Sequence, residues 1–319
     1  MAAPSPPKLI DIGSNLGDPV FRGSYHGKQA HSDDFLDILE RARAAGVGTQ
    51  LLTGDCLSGS KEVIALAKEH AGLYATTGCH PCRAQEFDTF PGGPDAYLEA
   101  LAKVIEENKG PEGRVLAVGE CGLDYDRLHL CPKDVQLKHF PPQLELASRF
   151  NLPLFLHSRA AHRDFVDIIK AHVKPLRGVV HSHSESLEQA LECIQLGFYI
   201  GINCSLKTPE NVECVRQLPL DKIMIESDCP WCEIRPSHAS HPHLSTITSS
   251  ITHSHLEPLY IPPSVKKERW TSGKGVKGRN EPCSTGQVAW VVSQLKGVSV
   301  EEVAEQTYRN TCELFGIPE

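Results

Sequence analysis

Six residues in this sequence carry side chains able to hold a divalent cation and stand in or beside short apolar runs: Asp11, His80, Glu120, His157, His181 and Asp228. Imidazole nitrogen and carboxylate oxygen together suit Zn²⁺, Mn²⁺ and related ions, and a carboxylate can bridge two of them. A bridged pair of cations activates water and stabilises the attacking and leaving oxygens of an ester under hydrolysis. Each residue also has a plainer reading, because a single histidine at a strand end is more often a hydrogen-bonded structural residue. Order lifts the set above coincidence: Glu, His, His and Asp fall at four separate apolar runs that succeed one another along the chain.

Those runs imply the scaffold. Eight are found, at 8–13, 49–54, 73–78, 114–120, 152–157, 178–182, 197–202 and 222–227. Amphipathic stretches with apolar positions three and four apart lie between them, at 33–46, 60–72, 95–108, 135–150 and 186–197. Near-continuous apolar strands alternating with such helices are what a parallel sheet covered by helices requires, and eight units predict an α/β fold of the (β/α)₈ TIM-barrel kind. An open doubly wound sheet is the alternative, but no G-x-G-x-x-G follows the first strand. In a barrel the C-terminal strand ends form the active face, so residues distant in sequence share one mouth. The chain is expected to be a single domain over 1–319, with a long loop inserted after strand eight at about 233–283. Within it, 237–258 reads as a mobile Ser/His-rich segment whose His241-Pro242-His243 and His253-Ser254-His255 mimic metal-binding pairs but follow no strand.

Composition narrows the setting. The formal charge of -8 excludes an all-round basic surface, so a nucleic-acid partner would need a local patch or bound cations. The start lacks the pattern of a secretory leader and no run of about 20 apolar residues occurs, so a nuclear or cytoplasmic location without membrane is expected. Twelve scattered cysteines fit reduced thiols.

The sequence resembles the TatD family of metal-dependent deoxyribonucleases, particularly its eukaryotic branch within the amidohydrolase-like superfamily. The resemblance rests on LIDIGSNLGDP, TTGCHPCRA, AVGECGLDYDR, PLFLHSRAAH, GVVHS, GFYIGINCSLK, MIESDCPW and GRNEPC, in this order over nearly the whole chain. It implies that Glu120 bridges two metal ions, that His157 and His181 bind one, and that Asp228 serves the other and orients or deprotonates the attacking water. His80 matches a histidine beside the scissile phosphate. The implied substrate is DNA, single-stranded or with free 3′ ends, cut as a 3′–5′ exonuclease or an endonuclease, in DNA repair or DNA breakdown, with no obligate protein partner. Many members of the wider family carry a His-x-His pair at the end of strand one, where this chain has Gly13 and Asn15. The first metal position is therefore poor in ligands, which favours weakly held Mg²⁺ or Mn²⁺ over Zn²⁺.

The most basic window, 265–279, contains Lys266, Lys267, Arg269, Lys274, Lys277 and Arg279. It could follow a phosphate backbone, with Trp270 stacking on a base; a solvated surface loop is the bland reading. Arg159, His162 and Trp231 are candidates for the lip of a nucleotide site, Glu281 is expected to anchor its loop, and His183 is read as a solvent-facing residue outside the metal set.

Two other functions compete. A small-molecule amidohydrolase, a phosphoesterase or an aminoacyl-tRNA deacylase could use the same barrel, though the missing His-x-His pair counts against the first. A redox or structural-zinc protein could use Cys79-His80-Pro81-Cys82 and Cys229-Pro230-Trp231-Cys232, though neither pair sits in a thioredoxin-like unit.

Overall fold

Strands form where apolar, β-branched sequence is bounded by Gly, Asp or His. A computed structural model describes residues 4–318. Eight strands form the main sheet: β1 (Leu9–Ser14), β2 (Val47–Leu52), β3 (Leu73–Thr77), β4 (Val115–Asp124), β5 (Leu154–Arg159), β6 (Gly178–Val180), β7 (Phe198–Ile202) and β8 (Ile223–Ile225). They join one sheet in chain order, and β3 through β7 pair in parallel, each with the next. A parallel bridge between Ser14 and Cys229 joins the end of β1 to the segment after β8, giving the strand succession of a (β/α)₈ barrel. β4 is buried at all ten positions, as a strand covered on both faces must be.

The barrel helices are α1 (Phe35–Ala44), α2 (Leu57–Glu69), α3 (Gly93–Asn108), α4 (Lys133–Phe150), α5 (His162–Ala171), α6 (Leu187–Gln195) and α7 (Pro209–Gln217). Capping boxes start the last two, Ser186 with Gln189 and Thr208 with Asn211, each side chain satisfying a backbone N–H that the first turn leaves without a partner. Two compact units divide the chain: residues up to Gln50 with Ile202–Arg309, and Leu51–Gly201 with the residues from Asn310 onward.

One expectation needs correction. The stretch 233–283 is not a continuous loop: α8 (His241–Ser249) and a short helix, Glu257–Tyr260, form within it. Pro242 and Pro258 sit in their first turns, where a missing N–H costs nothing, and Leu244, Ile247, Leu256 and Tyr260 are buried. His253 pairs with Glu301 at 3.0 Å and its ring lies 5.6 Å from that of Trp290, so this histidine serves packing. Helices α9 (Thr285–Lys296) and α10 (Val300–Phe315) complete the chain.

Candidate metal centre

Strand β4 determines where Glu120 points. The register against β5 shifts between Gly119 and Cys121, and the Glu120 N–H donates to the Gly54 carbonyl at 2.9 Å. A bulge of this kind re-aims a side chain relative to the regular pleat. Gly119 has φ 141 and Gly122 φ 146, and an added Cβ would run into the Phe155 and His157 carbonyls, respectively. Glycine is required at both places by conformation and by space.

His157 lies in β5, and His181 follows β6 directly, its N–H continuing the ladder to the Leu156 carbonyl at 2.9 Å. His80 caps the turn Pro81–Arg83 after β3. These three imidazoles converge on one oxygen: Glu120 Oε1 is 2.7 Å from His181 Nε2, 2.9 Å from His157 Nδ1 and 3.4 Å from His80 Nε2. His157 Nδ1 and His181 Nε2 are themselves 3.3 Å apart. Ligand atoms of His80, Glu120 and His157 all lie within 4.8 Å of one another.

The charges respond to this convergence. Burial pushes the Glu120 carboxyl upward, but the neighbouring histidines outweigh it and hold the group well below the usual carboxylate range. Burial lowers His80 to about 4, so it is neutral, and with Nδ1 accepting the Cys82 N–H its proton is on Nε2. Burial also opposes protonation of His157, yet hydrogen bonds to Asp124 and Glu120 win and raise it. A buried anion ringed by imidazoles at these distances has the donor chemistry of a divalent-cation site.

Asp124 lies outside the set expected from the sequence. Its Oδ2 is 3.3 Å from His157 Nε2, the ring nitrogen turned away from Glu120. A carboxylate on the far nitrogen is how a metal-binding histidine is held in one tautomer and orientation. Asp124 Oδ1 accepts the N–H groups of Asp126 and Arg127, and Gln136 of α4 clasps the Asp124 backbone, accepting its N–H at 2.8 Å and donating to its carbonyl at 2.9 Å. One α4 face clasps both sides of the site: Gln143, two turns on, makes the same pair of bonds to Cys79, beside His80.

Asp228 belongs to the other unit. Its N–H donates to the Gly13 carbonyl, Asn15 Nδ2 donates to its Oδ1 at 3.2 Å, and Asn203 Nδ2 lies 3.4 Å from its Oδ2. Its φ of 51 is a left-handed conformation that Asp tolerates better than bulkier residues, and such outliers cluster at functional sites. Asn15, standing where a second His-x-His histidine would be, thus holds a carboxylate. Asp11 is fully buried and accepts from the Ser227 N–H at 2.9 Å and the Ser227 hydroxyl at 2.6 Å. Its role is to fix the backbone next to Asp228.

The remaining candidates divide. Trp231 is 55% exposed, free to meet a ligand. Arg159 pairs with Asp126 at 2.8 Å and His162 with Glu192 at 2.9 Å. Trp270 stacks on His31 with ring centroids 5.0 Å apart, and Lys267 lies over Tyr25, so this aromatic group holds the basic strap to the segment 25–31. Lys266, Arg269, Lys274 and Lys277 are exposed, but Arg279 is buried, paired with Asp34 and Glu281. Glu281 also takes Arg41 at 2.7 Å, an anchoring contact. His183 is not solvent-facing: it is buried, with Nε2 3.2 Å from the Ser186 carbonyl. All twelve cysteines are free thiols.

Comparison with known proteins identifies the family. Residues 23–316 match the family model described as TatD related DNase. The chain is 46% identical over 312 residues to "Deoxyribonuclease Tat-D" of Schizosaccharomyces pombe, covering 97% of this chain and 96% of the relative. It is 30% identical to "3'-5' ssDNA/RNA exonuclease TatD" of Erwinia amylovora, covering 97% and 100%. A solved structure described as an uncharacterized amidohydrolase from Saccharomyces cerevisiae superposes with TM-score 0.87 at 33% identity, over 97% of this chain and all of the other. This chain belongs to the TatD-related DNase family.

Proposed function

We propose that the protein is a metal-dependent deoxyribonuclease that hydrolyses phosphodiester bonds of DNA, acting on single strands from the 3′ end. The observation that carries this reading is the convergence of His80, His157 and His181 on Glu120 Oε1. The names of the fission-yeast and Erwinia relatives support the substrate class.

When bound, two divalent cations, with Mg²⁺ or Mn²⁺ favoured, would supply activation of water and neutralisation of the charge that develops on the phosphate. Glu120, His157 and His181 would hold metal, and Asp228 is assigned as a further metal-holding carboxylate that would accept the proton of the attacking water. His80, kept neutral by burial, is assigned to the phosphate, towards which its Nε2 can donate. Trp231 offers a face for an unpaired base, Arg159 contacts the nucleotide, and Lys266 and Lys267 neutralise backbone phosphates. Trp270 is assigned to holding that strap in place. The work of such an enzyme is DNA repair or DNA breakdown, in the nucleus or the cytoplasm.

The test uses single-stranded oligonucleotides labelled at either end and incubated with Mg²⁺ or Mn²⁺. A 5′-labelled strand that shortens as a ladder, while a 3′-labelled strand releases mononucleotide at once, is the expected result. Internal cuts would transfer the reading to an endonuclease. No cleavage by folded protein would send the assignment to carboxylic esters, amides and aminoacyl-tRNA.

A further inference from the structure

Beside the Glu120 cluster lies a second donor set that shares His80 and Asp124 with it and adds a thiol, Cys82, that the proposed chemistry does not use. One ligand atom from each of His80, Cys82 and Asp124 falls within 4.8 Å of the others. Cys82 Sγ is 3.9 Å from Asp124 Oδ2, and the Cys82 N–H donates to His80 Nδ1 at 3.0 Å. Cys82 is only half-buried, whereas ten of the twelve cysteines are buried. The turn that carries it is fixed on one side by Gln143 and on the other by the His80 N–H, which donates to the Asp55 carbonyl.

Donor softness separates the two sets. Carboxylate and imidazole accept several divalent ions, but a thiolate selects Zn²⁺ and related soft cations and rejects Mg²⁺. We propose that His80, Cys82 and Asp124 form a separate site for a thiophilic divalent cation such as Zn²⁺, and that filling it withdraws His80 from the Glu120 cluster. His80 can serve only one set, because its Nδ1 accepts the Cys82 N–H and its remaining nitrogen faces Glu120 at 3.4 Å. Asp124 is likewise already engaged with His157. A soft cation therefore competes with the pairings that shape the Glu120 site, and Zn²⁺ inhibits an enzyme that Mg²⁺ supports. Binding at the new site stands apart from the nuclease reading; the inhibition rests on it.

Co²⁺ serves as the spectroscopic probe and Zn²⁺ as its competitor, on the full chain after chelator treatment. The wild type is expected to show thiolate-to-cobalt charge-transfer absorption in the near ultraviolet, erased by Zn²⁺. Cys82→Ser and Cys82→Ala, with wild-type circular dichroism, lack it. In Mg²⁺-supported cleavage, Cys82→Ser keeps the wild-type rate and needs about tenfold or more Zn²⁺ for half-inhibition, the scale expected for losing a supporting ligand. Absence of the band from the wild type, or its persistence in both variants, overturns the site. Equal Zn²⁺ inhibition of wild type and variant overturns the competition for His80. Absence of cleavage alongside a Cys82-dependent band would strike the nuclease reading and leave the site standing.

Discussion

One oxygen, Glu120 Oε1, organises the chemistry at the residue scale, and His157 reveals what it is built for. His157 points Nδ1 at Glu120 and Nε2 at Asp124, so without a cation it favours the doubly protonated ring, and its pKa is raised although burial opposes this. A cation that takes Nδ1 must expel that proton. Below the raised pKa the proton has to leave; above it, it is already gone. Apparent affinity for Mn²⁺ should therefore fall, and proton release on metal addition rise, as pH falls through the titration of this histidine, read in weakly buffered solution. Asp124→Ala should weaken metal binding by about 10–100-fold in chelator competition, while Asp124→Asn, which retains an acceptor for His157, loses less. Asp124 is legible in principle. It lies in the motif AVGECGLDYDR, and period-2 alternation places residues 120, 122 and 124 on one strand face. The apolar pattern stops at Glu120, so it marks a strand end four residues short of the observed one at Asp124.

At the scale of elements, α4 and the basic strap do the positioning. Gln136 makes three hydrogen bonds, two to the Asp124 backbone and one to the Cys131 carbonyl, all buried. Gln136→Ala leaves those groups without partners, a cost of about 1–3 kcal/mol for each buried group, and should lower metal affinity as well as the unfolding midpoint. The strap is anchored by Arg279, whose guanidinium joins buried Asp34 and Glu281, with Arg41 balancing the second acid. Arg279→Ala strands buried carboxylates and should cost about 3–5 kcal/mol in denaturant unfolding. Lys266 and Lys267 belong to a different experiment. Replacing both by Ala should cost no more than about 1 kcal/mol of stability, through the loss of the Lys267–Tyr25 contact, while it weakens binding to single-stranded DNA and flattens the slope of log affinity against log salt by about 0.7 for each phosphate no longer neutralised. The strap's charge is plain in the sequence, but its anchoring is not, since nothing local pairs Arg279 with Asp34, 245 positions away. The helix at His241–Ser249 is hidden likewise: its serines and threonines read as loop, and the burial of Leu244 and Ile247 overrides that preference.

Across the whole molecule, the parallel strands are legible because burial on both faces leaves an uninterrupted apolar signature, and the strand-end rule then collects Glu120, His157 and His181 together with His80 just beyond β3. Buried polar groups within the sheet are not legible, because their burial depends on contacts far apart in sequence. Asp11 shows the consequence. Desolvation raises its pKa to about 7 against the Ser227 hydrogen bonds, so the native state holds its proton at a pH where the unfolded chain has lost it. Stability from this residue is therefore lost as pH rises from the ordinary carboxyl range towards about 7, and the advantage of wild type over Asp11→Asn should shrink over that interval in denaturant titrations. The central claim is that the Glu120 cluster is a metal site and that the metal drives cleavage. Its most direct test is calorimetric titration of chelator-stripped wild type and Glu120→Gln with Mn²⁺, with cleavage of a single-stranded oligonucleotide measured on the same samples. The account predicts saturable binding in the wild type with cleavage rising in step, and loss of both in Glu120→Gln. Cleavage by the stripped protein without metal, or unchanged Mn²⁺ binding in the variant, would contradict it.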